Sequence, residues 1–340
     1  MRIPGWSMIR SRFFDFAHVL FGKPVSTFPE HAPASAGARA PAILCAGIIV
    51  LDEVFRVERF PHADGKTMAQ GYFAVNGGCA GNAAVAIARL GGRAVLAGPL
   101  GGPVGEDASG DRVLAALARE HVDCSGCRRI AGVSTPLSAI FIDARGERMI
   151  VTYRDDRLAT ATPADPQRLV TAAAAVLADN RFPEFVRPIC IAARARGLTV
   201  VLDADRPTEV SDDLFRIATH VVFSSECLRA TTGLDDLPAA LERIGGATPS
   251  FLAVTNGPQD VLWLDGRVLR RSPVFAIHAV DTLGAGDVFH GAFTLALAEE
   301  RDVTAAMRFA AAAAGLKCTR LGGSAAAPHR AEVEALLATG

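Results

Sequence analysis

The chain has 340 residues, half of them hydrophobic and 21% charged, with a formal net charge of −1. That is enough apolar material for one large α/β domain, and the near-neutral charge excludes a general attraction to nucleic acid or to an anionic membrane surface. No charge-free apolar run reaches the length of a membrane span. Seven scattered cysteines argue against a disulfide framework and for a reducing, cytoplasmic setting. Cys124 and Cys127 form a lone CxxC with no second ligand pair at zinc spacing, and read as thiols in or near a turn.

Taken in chain order, residues 1–41 carry arginines and aromatics, then a Pro-, Ala- and Ser-rich stretch, and are expected to be a poorly ordered extension. The fold is expected over 42–340. Ala42–Leu51 is apolar and ends at Asp52, as a buried strand would. Alternating segments within 54–75 and 134–153, the latter with a turn at Ala144–Glu147, predict strands of a small separate sheet, a lid. A small-residue loop, Asn76–Asn82, feeds a helix from Ala83 to Leu90. Arg93–Ala97 predicts a strand and Ala108–Glu120 a helix. Strands near 174–178, Thr199–Asp203, Thr219–Phe223 and Phe251–Thr255 then alternate with helices over 183–196 and 235–244. A hairpin over 261–269 follows, then helices near 285–299, 303–317 and 330–338. Such alternation predicts a doubly wound α/β fold: a mostly parallel sheet with helices on both faces, plus the small β lid.

The strongest chemical signal is Asp281-Thr282-Leu283-Gly284-Ala285-Gly286-Asp287. Small residues opening a helix let backbone N–H groups approach an anion, and the helix start favours negative charge. A carboxylate set into an anion-binding loop is repelled by phosphate unless it has a task, and taking a proton from an attacking hydroxyl is one. Gly65-Lys66-Thr67 imitates the end of a Walker A loop, but Phe60 stands where its first glycine belongs. Neither a Gly-x-Gly-x-x-Gly nor a His-Glu-x-x-His occurs.

Asp281–Asp287, with the following Val288–Phe293, resembles the C-terminal signature of the ribokinase-like PfkB family of carbohydrate kinases. Gly77-Gly78-Cys79-Ala80-Gly81-Asn82 is similar to its N-terminal signature. The resemblance spans roughly residues 42–338 and implies the ribokinase-like fold, ATP as phosphoryl donor, Mg2+, and a monovalent cation such as K+. It implies Asp287 as catalytic base and the Gly284, Ala285 and Gly286 amides as holders of the transferring phosphoryl group. Asp52, Gly77, Gly78 and Asn82 would bind the sugar. Thr255 and Gly257, in a Thr-x-Gly after a strand, would contact ATP phosphate, and Ala311, Ala314 and Gly323 would flank adenine. The family's Asn-x-x-Glu is replaced by Ser224-Ser225-Glu226-Cys227, and Cys79 replaces the Lys or Asn of several relatives.

Within the family the likeness is greatest to the sulfofructose kinases, which act on 6-deoxy-6-sulfofructose. It rests on Gly146-Glu147-Arg148, Leu177-Ala178-Asp179, Leu202-Asp203 and Leu316–Arg320 beside the signature loop. Lys66 and Arg181 fall where that likeness implies cations against the sulfonate, and Thr152 where it implies an Asn. A Lys–Arg pair suits a fixed anion, and would equally suit a sugar phosphate. Fructose 6-phosphate, fructose, ribose or a nucleoside are the alternative acceptors, and a non-catalytic sugar sensor the alternative class. Lid strands with open edges also imply a homodimer.

Overall fold

The apolar run at Ala42 supplies strand β1 (Ala42–Ala46), and its side chains divide between two cores. Ile43 and Cys45 join one apolar cluster; Leu44 and Ala46 join the other. In a computed structural model that describes residues 40–339, this alternation recurs in every central strand and explains why the strands read as unbroken hydrophobic runs.

From β1 the chain crosses into a second sheet through β2 (Val50–Arg56) and β3 (Gly71–Gly77). It returns by α1 (Cys79–Arg89), β4 (Arg93–Ala97), the short β5 (Pro99–Gly101), α2 (Ala108–Arg119) and β6 (Arg128–Ile130). Strands β7 (Leu137–Ile142) and β8 (Arg148–Tyr153) complete the second sheet. Then come α3 (Pro166–Val170), β9 (Ala175–Asp179), α4 (Pro183–Ala195), β10 (Thr199–Ala204), α5 (Asp213–Ile217) and β11 (His220–Ser224). The chain continues through α6 (Ser225–Thr232), α7 (Leu237–Gly245), β12 (Phe251–Asn256), β13 (Gln259–Asp265) and β14 (Val268–Ser272). It ends in α8 (Ala285–Ala298), α9 (Val303–Cys318) and α10 (Arg330–Ala338).

The main sheet has eight strands in the order β14-β13-β12-β11-β10-β9-β1-β4. From β4 to β12 every pairing is parallel; only the β12-β13-β14 edge is antiparallel. Helices α1, α8 and α9 cover one face and α4 and α7 the other, which is the doubly wound architecture that the sequence predicts. The second sheet runs β3-β2-β7-β8, with β2 and β7 parallel.

The expected single strand Ala42–Leu51 is in fact two. Gly47 divides it, donating its N–H to Ala97 O at 2.9 Å, and there the chain leaves the main sheet for the second one. Both halves are apolar because both are buried, so hydrophobicity alone hides the break. A Cβ at Gly47 would lie 1.9 Å from the Asp179 carboxylate, so the crossing requires glycine. Helix α6 is absent from the sequence reading; it is short and polar, and Ser224 starts it by accepting from Cys227 N at 3.1 Å. The proposed extension, residues 1–39 above all, lies outside the described residues. Pro41 already accepts a hydrogen bond from Arg93 N.

Helices α1 and α8 cross at Gly291, where a Cβ would sit 2.8 Å from the Ala83 carbonyl oxygen. Gly291→Ala is expected to destabilise the protein by about 1–3 kcal/mol, the overpacking strain outweighing the better helix propensity of alanine. Chemical denaturation measures this; an unchanged midpoint would mean that the two helices part freely.

Candidate active site

The parallel strands end on one rim, and carboxylates gather there. Asp179 ends β9, Asp203 lies at the end of β10, and Asp205 follows it. Asp287 joins them from the first turn of α8, and Asp52 approaches from β2. The end of strands in an open α/β sheet is where ligands bind.

Each carboxylate has its own restraints. Asp179 accepts from Ile48 N at 2.7 Å and Arg181 N at 2.9 Å. The Arg181 guanidinium pairs with Asp205, Nε to Oδ2 at 2.8 Å. Asp287 Oδ2 accepts from Asn82 Nδ2 at 2.7 Å, while Asn82 Oδ1 is buried without a partner among the described residues. Cys79 Sγ and carboxylate oxygens of Asp203 and Asp287 lie within 4.8 Å of one another. His290 Nδ1 stands 3.5 Å from Asp203.

Crowding of like charge in a desolvated cleft raises carboxyl pKa values. Burial, then repulsion from Asp205, Asp179 and Asp52, pushes Asp287 up to about 7 against the pull of Asn82. Burial raises Asp179 to about 6 despite its two N–H donors, and raises Asp52 to about 6 despite a hydrogen bond from Ser138. Burial and the neighbouring Asp205, Asp287 and Asp179 push Asp203 well above the usual carboxylate range. Burial lowers His290 to about 4, leaving a neutral imidazole behind the cluster.

The loop before α8 is built for an anion. Gly284 precedes the helix at φ +76° and no side chain caps the first turn; Ala285 N–H donates to Thr282 O at 3.2 Å, while Gly286 N–H has no hydrogen-bond partner among the described residues and stays open to a ligand. A Cβ on Gly286 would meet nothing within 4 Å, so open space lies over it. Asp281 instead points into the protein. It accepts from Leu283 N at 2.9 Å, from Gly322 N and Gly323 N at 3.2 Å, and from Lys317 Nζ at 3.0 Å.

Gly77 and Gly78 let the backbone beside Asp52 pack closely. A Cβ on Gly77 would lie 2.0 Å from Asp52 Oδ2, and Gly78 has φ +82° with Ile48 O 2.5 Å from where its Cβ would be. Thr152 belongs to the same row: β2 pairs Asp52 with Ser138, β7 pairs Ser138 with Thr152, and the two hydroxyls lie 3.2 Å apart.

Other residues singled out in the sequence stand apart. Lys66 is exposed between β2 and β3 and makes no hydrogen bond or ion pair among the described residues. Thr255, near the end of β12, donates to Phe223 O at 3.3 Å, and Gly257 makes the following turn at φ +58°. Gly323 (φ +56°) lies against Leu283 and Val75. Ala311 is buried in the core and Ala314 packs against it. Glu226 is exposed on the first turn of α6. Sequence reasoning gave no role to Asp203, Asp205 or His290. The available signal was a carboxylate closing an apolar strand, at Asp179 and again at Asp203.

Residues 40–330 match the pfkB family carbohydrate kinase model. The chain belongs to this family. It is therefore a phosphotransferase acting on a sugar hydroxyl. It is 28% identical over 294 residues to the ribokinase of Bacillus subtilis, covering 86% of this chain and 97% of that one. A crystal structure from Agrobacterium tumefaciens, provisionally assigned as a ribokinase, superposes with TM-score 0.84 at 38% identity, covering 88% and 98%. The ribokinase of Arabidopsis thaliana complexed with ribose and ATP shares the fold at TM-score 0.76 and 23% identity, covering 88% and 99%. A magnesium ion bound with a nucleotide takes one or two carboxylates, its own waters and substrate phosphates. The clustered oxygens of Asp203 and Asp287 fit such a site.

The raised Asp287 carries a stability consequence. Its folded pKa of about 7 exceeds the ordinary value of 3.8. The folded state therefore holds the proton more tightly, and that stabilisation, full below the ordinary value, is lost as pH rises through about 7. Asp287→Asn removes the loss. Its stability gain over wild type is expected to grow between pH 4 and 7 and level off at about 3–5 kcal/mol. Thermal melts across that range measure it, and a gain independent of pH contradicts the electrostatic origin.

Proposed function

We propose that this carbohydrate kinase transfers the γ-phosphoryl group of ATP to a primary hydroxyl of a sugar held by Asp52, with Asp287 as the base. The observation that carries the reading is Asp287 itself, a carboxylate raised towards neutrality at the mouth of an open anion-binding helix start. The acceptor oxygen gives its proton to Asp287 and attacks the γ-phosphorus in line. A new P–O bond forms, the bridging bond to the β-phosphate breaks, and ADP leaves with the bonding pair. The backbone amides of Gly284, Ala285 and Gly286 would stabilise charge on the moving group. Asp52, with Gly77, Gly78 and Asn82 beside it, would accept hydrogen bonds from adjacent sugar hydroxyls. Thr255, Gly257, Ala311, Ala314 and Gly323 would flank the nucleotide. Magnesium, held by Asp203 and the phosphates, would neutralise phosphate charge.

For the acceptor we propose 6-deoxy-6-sulfofructose. Its support is an unpaired Lys66 on the lid, Arg181 at the rim, and Thr152 in the row of Asp52. A neutral pentose or ketose is the second reading, and the Arg181–Asp205 pair favours it: Asp205 already neutralises Arg181, and carboxylates outnumber cations around Asp287. A homodimer through the lid is supported by its edge strands β3 and β8, and sedimentation analysis tests it.

Turnover with sulfofructose, fructose 6-phosphate, fructose and ribose separates the acceptors. Preference for sulfofructose that is lost in Lys66→Ala and Arg181→Ala upholds the first; preference for a neutral sugar upholds the second. With any acceptor, Asp287→Asn is expected to lower kcat by about 100- to 10,000-fold. The kcat/KM of wild type should fall as pH drops through about 7, because the base must be unprotonated. Gly286→Ala should fold normally yet lose turnover, since its methyl enters the open space over the loop. Wild-type protein that turns over no sugar would move the non-catalytic sensor to the front.

A further inference from the structure

Lys317, in the last turn of α9, has no exposed surface. Its ammonium donates to Asp281 O at 2.8 Å and to Asp281 Oδ2 at 3.0 Å. The same carboxylate gathers the N–H groups of Leu283, Gly322 and Gly323, while Val280 N and Asp281 N donate to Cys318 O at 2.7 and 3.1 Å. The end of α9, the turn at Gly322-Gly323 and the start of the anion loop thus converge on one buried positive charge. Three residues beyond Asp281 comes Gly284, which opens α8. Desolvating an ammonium is costly, and an apolar side chain of similar length would fill the space without that penalty. Burial pulls the ammonium below the usual lysine value, and the Asp281 carboxylate, with its hydrogen bond, is the strongest influence drawing it back.

We infer that Lys317 is a built-in monovalent cation. It is a positioning residue that holds the Asp281 carbonyl and carboxylate, and through them the Thr282–Gly286 loop, in the place that a potassium ion from solution would otherwise take. An ammonium group and a potassium ion carry the same charge and both seek carbonyl and carboxylate oxygens. Here those oxygens are already engaged by the chain itself. The kinase accordingly works without an added monovalent cation, whichever sugar it accepts.

The test uses the full chain with ATP, magnesium and the sugar it turns over best. Replacing potassium by tetramethylammonium at fixed ionic strength is expected to change wild-type kcat by less than about twofold. Lys317→Ala is expected to lose about 10- to 100-fold in kcat with little change in the KM for sugar, as a displaced loop would. Ammonium or potassium ions should restore part of that loss by entering the vacated space. They should also raise the Tm of Lys317→Ala while leaving that of wild type unchanged, a readout that needs no substrate. Wild-type turnover that collapses without potassium overturns the inference. So does a folded Lys317→Ala whose kcat and Tm both ignore added cations. If that variant does not fold, the wild-type exchange decides alone.

Discussion

Negative charge crowded onto one rim governs this molecule. Asp52, Asp179, Asp203, Asp205 and Asp287 all converge where the parallel strands end, and Arg181 is the cation paired into the group. Carboxylates so placed destabilise one another and the fold around them. They persist only because the two cores on either side of the sheet hold the strand ends fixed, and because specific donors partly offset the burden. Those donors are Ile48 N and Arg181 N on Asp179, Ser138 on Asp52 and Asn82 on Asp287. Any cation entering the cleft would relieve the same repulsion.

Backbone without side chains makes the crowding possible. Gly47 lets Asp179 approach the crossing from main sheet to lid, and Gly77 lets Asp52 approach the return strand; a Cβ at either position would lie within about 2 Å of the carboxylate. The two glycines bracket the second sheet's first hairpin, since β2 begins after Gly47 and β3 ends at Gly77. The connections that insert this sheet into the doubly wound domain are therefore the same ones that bring Asp52 and Asp179 to the cleft.

Much of this was legible in the sequence. Apolar runs and their alternation with helical spacing gave the parallel sheet and both helical layers, because strands buried on two faces have no polar side to confuse the pattern. The Asp281–Asp287 loop was legible because small residues before a helix have few other uses. The division of Ala42–Leu51 at Gly47 was not, since burial is equal on both sides of it. Nor was Asp205 as the partner of Arg181, or the gathering of Cys79, Asp203 and Asp287. These contacts join residues more than 20 to 200 positions apart, and no local pattern encodes them. Lys66 and Arg181 looked alike as candidate anion ligands, yet one is exposed and without a partner among the described residues and the other is neutralised at the rim.

The two ends of the signature loop show how environment divides labour between identical residues. At Asp281 burial works to raise the pKa, but the N–H of Leu283, the Lys317 ammonium and the N–H of Gly323 outweigh it and leave the carboxyl below its usual value. Six residues on, burial of Asp287 is opposed by one amide and reinforced by surrounding carboxylates, and the carboxyl rises to about 7. One aspartate is thereby fixed as a permanent anion that anchors backbone. The other is poised to exchange a proton near neutral pH. Pairs of titratable groups pushed in opposite directions are a recurrent means of separating structural from chemical roles. The loop between them joins the anchored Asp281 to the first turn of α8, so the tie at one end restrains the backbone that carries Asp287. Lys317, with no exposed surface, holds that end through both the carbonyl and the carboxylate of Asp281.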